Sequence, residues 1–207
     1  MQTQQPLATI TPSLDGDVLV VLARADAAFT AGGIRQILGG RSYTGIRKVL
    51  DRLVEQGTVS AERVGPVVSY RLNREHLAAA HIIALSDLRG SLMVRVRERV
   101  EAWPIRPVWA ALFGSAARGE MRPDSDLDLF LVDPGVDEER WDALVDELSG
   151  EVSRWTGNDA RVLTMTETEV RAGAASGDPI LRSLLDDALT ISGEPTWLRR
   201  TVARAGA

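Results

Sequence analysis

The sequence predicts an α+β protein of two domains joined by a helix. Two observations carry this prediction: residues 14–56 show apolar side chains at helical spacing and are followed by two β-rich runs, and later apolar runs of strand length alternate with amphipathic segments. The 207 residues are 44% hydrophobic and 26% charged, which suffices for one or two cores. We expect domains over residues 1–76 and 105–207, with a linking helix over 77–104.

Composition narrows the class of protein. There is no cysteine, so disulfides and thiolate metal sites are excluded. No run approaches the ~20 apolar residues of a membrane helix, and the first residues lack the pattern of a secretion signal, so we expect a cytoplasmic protein without a membrane partner. The net charge is −5, but residues 1–76 hold nine basic and seven acidic side chains, against fifteen and twenty-two in residues 77–207.

The first domain is predicted to contain three helices and a hairpin. The helices are Leu14 to about Arg24 with Ser13 as cap, a short one after Thr30 that stops at Gly39-Gly40, and Ser42 to Gln56. The hairpin strands are Thr58–Val64 and Val67–Leu72, separated by Gly65-Pro66.

This order resembles the winged helix-turn-helix family over about residues 12–75. The resemblance implies that the third helix enters the major groove of double-stranded DNA and that the hairpin is the wing. The candidate DNA-binding residues at the start of that helix are Arg41, Ser42, Tyr43, Thr44, Arg47 and Lys48. The alternative is that the domain mediates protein contacts or dimerisation and its arginines form a solvated face.

A long helix is predicted from Leu77 to Trp103, which links the domains and is a candidate for pairing with a second copy in a homodimer. The predicted elements of the second domain are strands Val108–Phe113 and Ala160–Met165, a helix over Val136–Trp155, a helix with Thr166 and Glu169 as capping box, and a helix opened by Asp178-Pro179.

The segment from Phe113 to Val132 carries the chemistry. Asp126 and Asp128 are two apart on a predicted strand, so both carboxylates point to one face, ~6.5 Å apart along the backbone. Like charges on one face repel unless a cation lies between them, and Mg²⁺ prefers oxygen ligands and takes one or two carboxylates with substrate phosphates. Upstream, Gly114-Ser115 permits close approach of a phosphate to backbone amides, and Arg118 is placed to neutralise phosphate charge.

The motif of Gly114-Ser115, ten further residues and Asp126-x-Asp128 resembles that of the nucleotidyltransferase superfamily, which includes DNA polymerase beta. The longer string from Phe113 to Leu129 is closest to that of the minimal nucleotidyltransferases. The resemblance covers about residues 105–195 and implies a small mixed sheet with flanking helices. It also implies that Mg²⁺ or Mn²⁺ is held by Asp126 and Asp128. The residues that it implies for binding a nucleoside triphosphate are Gly114, Ser115, Arg118 and Ser125.

A third carboxylate is expected on a following strand as metal ligand or base. Asp159 is the candidate catalytic residue, although another strand register places Arg161 there. The leading hypothesis is transfer of a nucleoside monophosphate to an acceptor hydroxyl of a protein, an RNA or a small molecule. The alternatives are a transcriptional regulator that binds nucleotide without turnover and a scaffold.

Overall fold

The computed structural model of the chain describes residues 1–122 and 124–205, and of Val64 it describes the backbone only. It contains two compact units: one is Gln5–Arg89, and the other combines Met1–Gln4 with Gly90–Ala207. Pro123 and residues 206–207, which belong to the predicted second domain, lie outside the described residues. Helices and sheets occur in both units, so the predicted α+β class is confirmed.

The first unit has the predicted three helices and hairpin. Its elements are a 3-10 helix Pro6–Thr9, α1 Leu14–Arg24, β1 Phe29–Thr30, α2 Ala31–Leu38, α3 Tyr43–Glu55, β2 Val59–Val64, β3 Val67–Leu72 and α4 Ala79–Ser86. The antiparallel sheet has the order β1-β3-β2. Strand β1 was not predicted, because two residues are too short for a periodic pattern and their pairing with β3 is a tertiary contact.

Hydroxyl caps explain where the first three helices begin. The side chains of Ser13, Thr30 and Ser42 each accept a hydrogen bond from a first-turn amide of α1, α2 and α3. The apolar stripes of these helices form one buried core whose most buried members include Val18, Leu22, Ile34, Ile46, Leu50 and Leu72.

The prediction of one continuous linking helix over residues 77–104 is wrong, because the chain forms two helices in this region. Helix α4 packs Ala79 into the core of the first unit, and the backbone leaves helical geometry at Asp87. The next helix, α5 Leu88–Glu101, packs Leu92 and Val96 into the core of the second unit. Apolar spacing continues across the break, so periodicity alone did not reveal it. The two units therefore divide at residues 89 and 90, and not at the predicted 76 and 104.

The second unit is built on a mixed sheet. Its elements after α5 are β4 Trp109–Phe113, α6 Gly114–Arg118, β5 Leu127–Asp133, α7 Glu138–Thr156, β6 Ala160–Thr166, α8 Glu167–Ser176, α9 Pro179–Asp187, β7 Leu189–Ser192 and α10 Trp197–Ala205. The strand order is β6-β5-β4-β7, with β5 and β6 parallel and the other pairs antiparallel. Strand β7 and helix α10 were not predicted.

Alternation along β5 separates a core from a site. Leu127, Leu129 and Leu131 are buried in a core with α5 and α7. Phe130 lies on the opposite face, in a second core with α8, α9 and α10. Asp128 has the parity of Phe130 and therefore belongs to that opposite face, at the start of the strand.

None of the helices within residues 1–122 and 124–205 combines the length and apolar character needed to cross a bilayer.

Candidate active site at the start of β5

A row of three side chains crosses the sheet where β5 begins. Phe113 on β4 is paired with Asp128 on β5, and Asp128 is paired with Arg161 on β6. Residues opposite each other on neighbouring strands share a face, so the aromatic ring, the carboxylate and the guanidinium all belong to one side of the sheet. Asp126, two residues earlier, belongs to the same side.

Gly114 lets the Asp128 carboxylate lie directly against the backbone. The φ angle of Gly114 is +68°, which side chains other than glycine rarely adopt. A Cβ atom at this position would lie 2.7 Å from Oδ2 of Asp128, inside contact distance. Conformation and space therefore both require glycine where β4 ends and α6 begins.

The two predicted metal-binding carboxylates have different electrostatic surroundings. Arg161 Nη2 lies 2.8 Å from Asp126 Oδ2 in an ion pair. Burial raises the pKa of the Asp128 carboxyl, and the Asp126 carboxylate raises it further, while Arg161 and Arg118 oppose the rise. Two carboxylates and one guanidinium thus share the face, and Asp128 is the more weakly neutralised of the pair.

The strand register places Arg161 beside Asp128, in the position where the third carboxylate was considered. Asp159 lies just before β6, where its backbone oxygen accepts a hydrogen bond from Leu127 N at 2.8 Å. It has the parity of Arg161 and is exposed. Arg161 is therefore level with Asp128, whereas Asp159 lies one residue before the paired part of β5 and β6 begins.

The nucleotide-binding candidates on α6 adjoin the carboxylates. No side chain caps the N terminus of this short helix, and Ser115 is half-buried at its second position. Arg118, at its end, hydrogen bonds to Glu120 at 2.8 Å and to Asp187 on α9, and these two partners raise its pKa in that order. Arg118 is thus held by carboxylates in this conformation and must exchange them to contact a phosphate.

Ser125 has a local structural role. Its hydroxyl accepts a hydrogen bond from Arg122 N at 2.8 Å, and its carbonyl accepts one from Asn158 Nδ2 at 2.8 Å. The buried Asn158 therefore fixes the loop that leads into Asp126. Sequence reasoning missed Asn158 and Asp187 because both are distant in sequence from the residues they hold, and no short motif marks such partners.

The oxygen ligands that this face offers a divalent metal are the carboxylates of Asp126 and Asp128. Among the described residues, no group of three or more histidine, aspartate or glutamate side chains is arranged to hold a metal ion. Asp126 and Asp128 still offer two carboxylates on one face, and Mg²⁺ usually takes one or two carboxylates and completes its shell with waters and substrate phosphates. The residues present therefore fit a metal that binds together with a nucleotide.

The start of α3 is a second candidate site, on the first unit. Ser42 caps the helix, Arg41 pairs with Asp17 at 2.6 Å, and the pKa of Arg47 is raised chiefly by Tyr70 and then by Asp51. Tyr43, Thr44 and Lys48 are exposed. The structure thus brings all six predicted DNA-binding residues to one end of one helix and uses Ser42 and Arg41 in contacts within the unit.

Residues 94–172 match the family model of the nucleotidyltransferase domain. The matched region spans α5 to the first half of α8 and contains Gly114, Ser115, Asp126, Asp128 and Arg161. No curated protein matches the chain.

The chain is similar to several solved structures over part of its length, at low sequence identity. A toxin–antitoxin crystal structure with AMP-PNP is 12% identical and covers 55% of this chain and 82% of its own, with a TM-score of 0.41. A tri-AMPylated Shewanella oneidensis HEPN toxin in complex with MNT antitoxin is 11% identical, covers 57% and 83%, and has a TM-score of 0.39. TrmBL2, an archaeal chromatin protein, is 10% identical, covers 89% and 77%, and has a TM-score of 0.30. The likeness to a family is therefore carried by residues 94–172, which are similar to the nucleotidyltransferase domain.

Proposed function

We propose that the protein transfers a nucleoside monophosphate from a nucleoside triphosphate to an acceptor hydroxyl of a protein or RNA, with Mg²⁺ or Mn²⁺ held by Asp126 and Asp128. The observation that carries the proposal is the contact between Gly114 and Asp128, where the glycine lets the carboxylate lie against the turn that opens α6. This contact joins the two halves of the motif, Gly-Ser and Asp-x-Asp, in one place.

The reaction is an in-line displacement. The acceptor oxygen forms a bond to the α-phosphorus, the bond between that phosphorus and the α–β bridging oxygen breaks, and pyrophosphate leaves. A divalent metal bound at the carboxylates supplies neutralisation of charge on the phosphate oxygens. The Ser115 hydroxyl donates a hydrogen bond to a phosphate oxygen, and Arg118 binds phosphate after it leaves Asp187.

Asp159 is the proposed acceptor of the proton from the acceptor hydroxyl. It is exposed, and its backbone oxygen accepts a hydrogen bond from the amide of Leu127, the residue that follows Asp126. A carboxylate that only has to receive a proton contributes about 10²–10⁴-fold to such a reaction. Asp159→Asn is therefore expected to lower kcat with little change in the affinity for nucleotide.

The second candidate function is nucleotide binding without turnover, in a transcriptional regulator. One observation favours it: the register places an arginine, and not a carboxylate, level with Asp128. Under this reading the site senses a nucleoside triphosphate and Arg161 is one of its phosphate contacts. The two functions share the binding residues and differ in the fate of the nucleotide.

Transfer from α-labelled nucleoside triphosphates separates these functions. Purified protein is incubated with each of the four nucleotides and Mg²⁺, with and without host lysate, and label is followed into protein, RNA and small molecules. Asp126→Ala and Asp128→Ala are run alongside, with Asp146→Ala on the exposed side of α7 as the matched control. The proposal predicts label in one acceptor class, lost in the first two variants and kept in the third. Metal-dependent binding without transfer supports the regulator.

We also propose that the first unit binds double-stranded DNA through α3 and the β2–β3 hairpin. The support is the clustering of exposed Tyr43, Thr44 and Lys48 at the start of the helix, beside Arg41 and Arg47. Such side chains contact phosphates and base edges. The alternative is a module that contacts proteins, and it predicts that removing these charges does not change binding to DNA.

A further inference from the structure

Arg161 is a cation already present at the carboxylates that are proposed to hold a metal. Its guanidinium lies 2.8 Å from Asp126 Oδ2, and its side chain is 67% exposed. The strand pairing fixes its backbone beside Asp128, so the side chain cannot withdraw far from the site. Within the part of the chain that the structure describes, the head group makes one ion pair, and because its own side chain is largely exposed that pair is a weak restraint.

A metal at Asp126 and this guanidinium compete for the negative charge of one carboxylate, because both are positive. When a metal binds at Asp126 and Asp128, Arg161 loses its partner and remains next to a second positive charge. A nucleoside triphosphate brings several negative oxygens to the same face, and guanidinium binds phosphate through paired hydrogen bonds. The nucleotide therefore offers Arg161 a replacement partner at the moment when the metal takes Asp126.

We propose that Arg161 couples the binding of metal and nucleotide by exchanging Asp126 for a phosphate of the bound nucleotide. This inference rests on the proposed nucleotide site. It adds Arg161 as a binding residue and predicts that metal and nucleotide strengthen each other's binding. Metal alone binds weakly because it must displace the guanidinium from Asp126. Metal together with nucleotide binds more tightly because the displaced guanidinium then binds a phosphate. The coupling is reciprocal, so metal must strengthen nucleotide binding by the same factor.

The first test measures metal without nucleotide. Free Mn²⁺ is followed by electron paramagnetic resonance during titration of the full chain. Loss of one exposed ion pair is worth up to ~1 kcal/mol, so Arg161→Gln is expected to bind Mn²⁺ up to about fivefold more tightly than the parent. Arg171→Gln removes an arginine of similar exposure, 62%, which pairs with Glu167 within α8, and is expected to bind like the parent. Equal Mn²⁺ affinity in Arg161→Gln and the parent contradicts the proposal.

The second test separates exchange of partners from a general effect of charge. Binding of α,β-methylene analogues of the four nucleoside triphosphates is measured without metal, in a double-mutant cycle of Asp126→Asn and Arg161→Gln. Exchange predicts that Asp126→Asn strengthens binding severalfold because Arg161 is already free, and that this gain disappears when residue 161 is glutamine. The same gain in both backgrounds would show that Asp126 merely repels the nucleotide, and would overturn the proposal.

Neither test depends on turnover, so the outcomes stay distinguishable from those of the proposed function. A chain that shows the coupling but transfers no nucleotide contradicts only the transferase. If the chain transfers nucleotide, but the effects of Asp126→Asn and Arg161→Gln on nucleotide binding are additive, only the exchange at Arg161 is contradicted. A chain that binds neither Mn²⁺ nor any analogue contradicts both.

Discussion

The close approach of the Asp128 carboxylate to the backbone at Gly114 organises the site. Both residues belong to one local motif, and alternation along a strand already places Asp126 and Asp128 on one face. The sequence therefore sufficed to place these side chains close together, and their roles in the site stay predictions. It did not suffice for Arg161, because its position depends on the register between β5 and β6, which are separated in the chain by α7. Nor did it reveal Asp187, whose contact with Arg118 exists only in the folded unit.

Gly114→Ala is expected to damage the site more than the fold. A left-handed alanine costs about 1–2 kcal/mol, and its Cβ would also push Asp128 Oδ2 from its position. Gly135→Ala is the matched control, because Gly135 has a φ of 71° with nothing within 4 Å of the added Cβ. Thermal melts should show similar losses of stability in both variants. Mn²⁺-dependent nucleotide binding should fall at least tenfold in Gly114→Ala only, and equal binding in the two would contradict the contact's role.

Asp128→Asn is expected to stabilise the metal-free protein at neutral pH. The folded-state pKa of Asp128 lies above its unfolded value, so between the two values the folded chain binds more protons and the free energy of unfolding falls as pH rises. The charged carboxylate therefore destabilises the fold above its folded-state pKa, and asparagine removes that effect. Melting in EDTA should show a higher Tm for Asp128→Asn at pH 7 and a smaller difference near pH 4. A lower Tm for Asp128→Asn than for the parent at pH 7 would refute this prediction.

At the scale of elements, helix starts were predictable and long connections were not. Capping depends on residues three apart, and the predicted capping box of Thr166 and Glu169 is present at the start of α8. The break at Asp87 and the strand β7 depend on packing between distant segments, which apolar periodicity does not record. The same distinction explains why β2 and β3 were predicted as a hairpin while their neighbour β1 was missed.

Thr166→Ala is expected to destabilise the protein by about 1 kcal/mol, because its hydroxyl accepts the Glu169 amide at 3.2 Å and caps α8. Hydrogen bonds from Thr166 lower the pKa of Glu169, so this part of the cap is lost as the pH falls through that lowered pKa. Ser176→Ala removes a hydroxyl at the other end of the same helix and should change stability by a few tenths of a kcal/mol. Urea unfolding at pH 7 measures both, and equal values would contradict the capping argument.

At the scale of the whole molecule, the chain combines two units of different charge. Residues 1–89 hold ten basic and eight acidic side chains, and residues 90–207 hold fourteen and twenty-one. The negative charge of the second unit suits the proposed metal-assisted site, and the basic end of α3 suits the proposed binding of DNA. The division into Gln5–Arg89 and the remainder assigns α4 to the first unit, so any experiment on an isolated domain would have to include it.

DNA binding through α3 predicts an affinity that falls steeply with salt. Arg47→Ala removes one phosphate contact and should weaken binding to all sequences and lower the slope of log K against log salt by about 1. Arg52→Ala removes the same charge near the other end of α3, where Arg52 pairs with Asp15, and should leave that slope unchanged. Fluorescence anisotropy with the full chain measures both. An affinity that is independent of salt would point to a protein-contact module, and equal losses in both variants would contradict binding through the start of α3.

The central claim is that the face shared by Asp126 and Asp128 carries nucleotidyl transfer, and a doubly labelled nucleoside triphosphate tests it most directly. With different labels on the α- and γ-phosphates, the protein, Mg²⁺ and lysate, the α label should enter the acceptor and the γ label should appear in pyrophosphate, with both signals lost in Asp126→Ala. The γ label in the acceptor, or α transfer that persists at the parental rate in Asp126→Ala, would contradict the account.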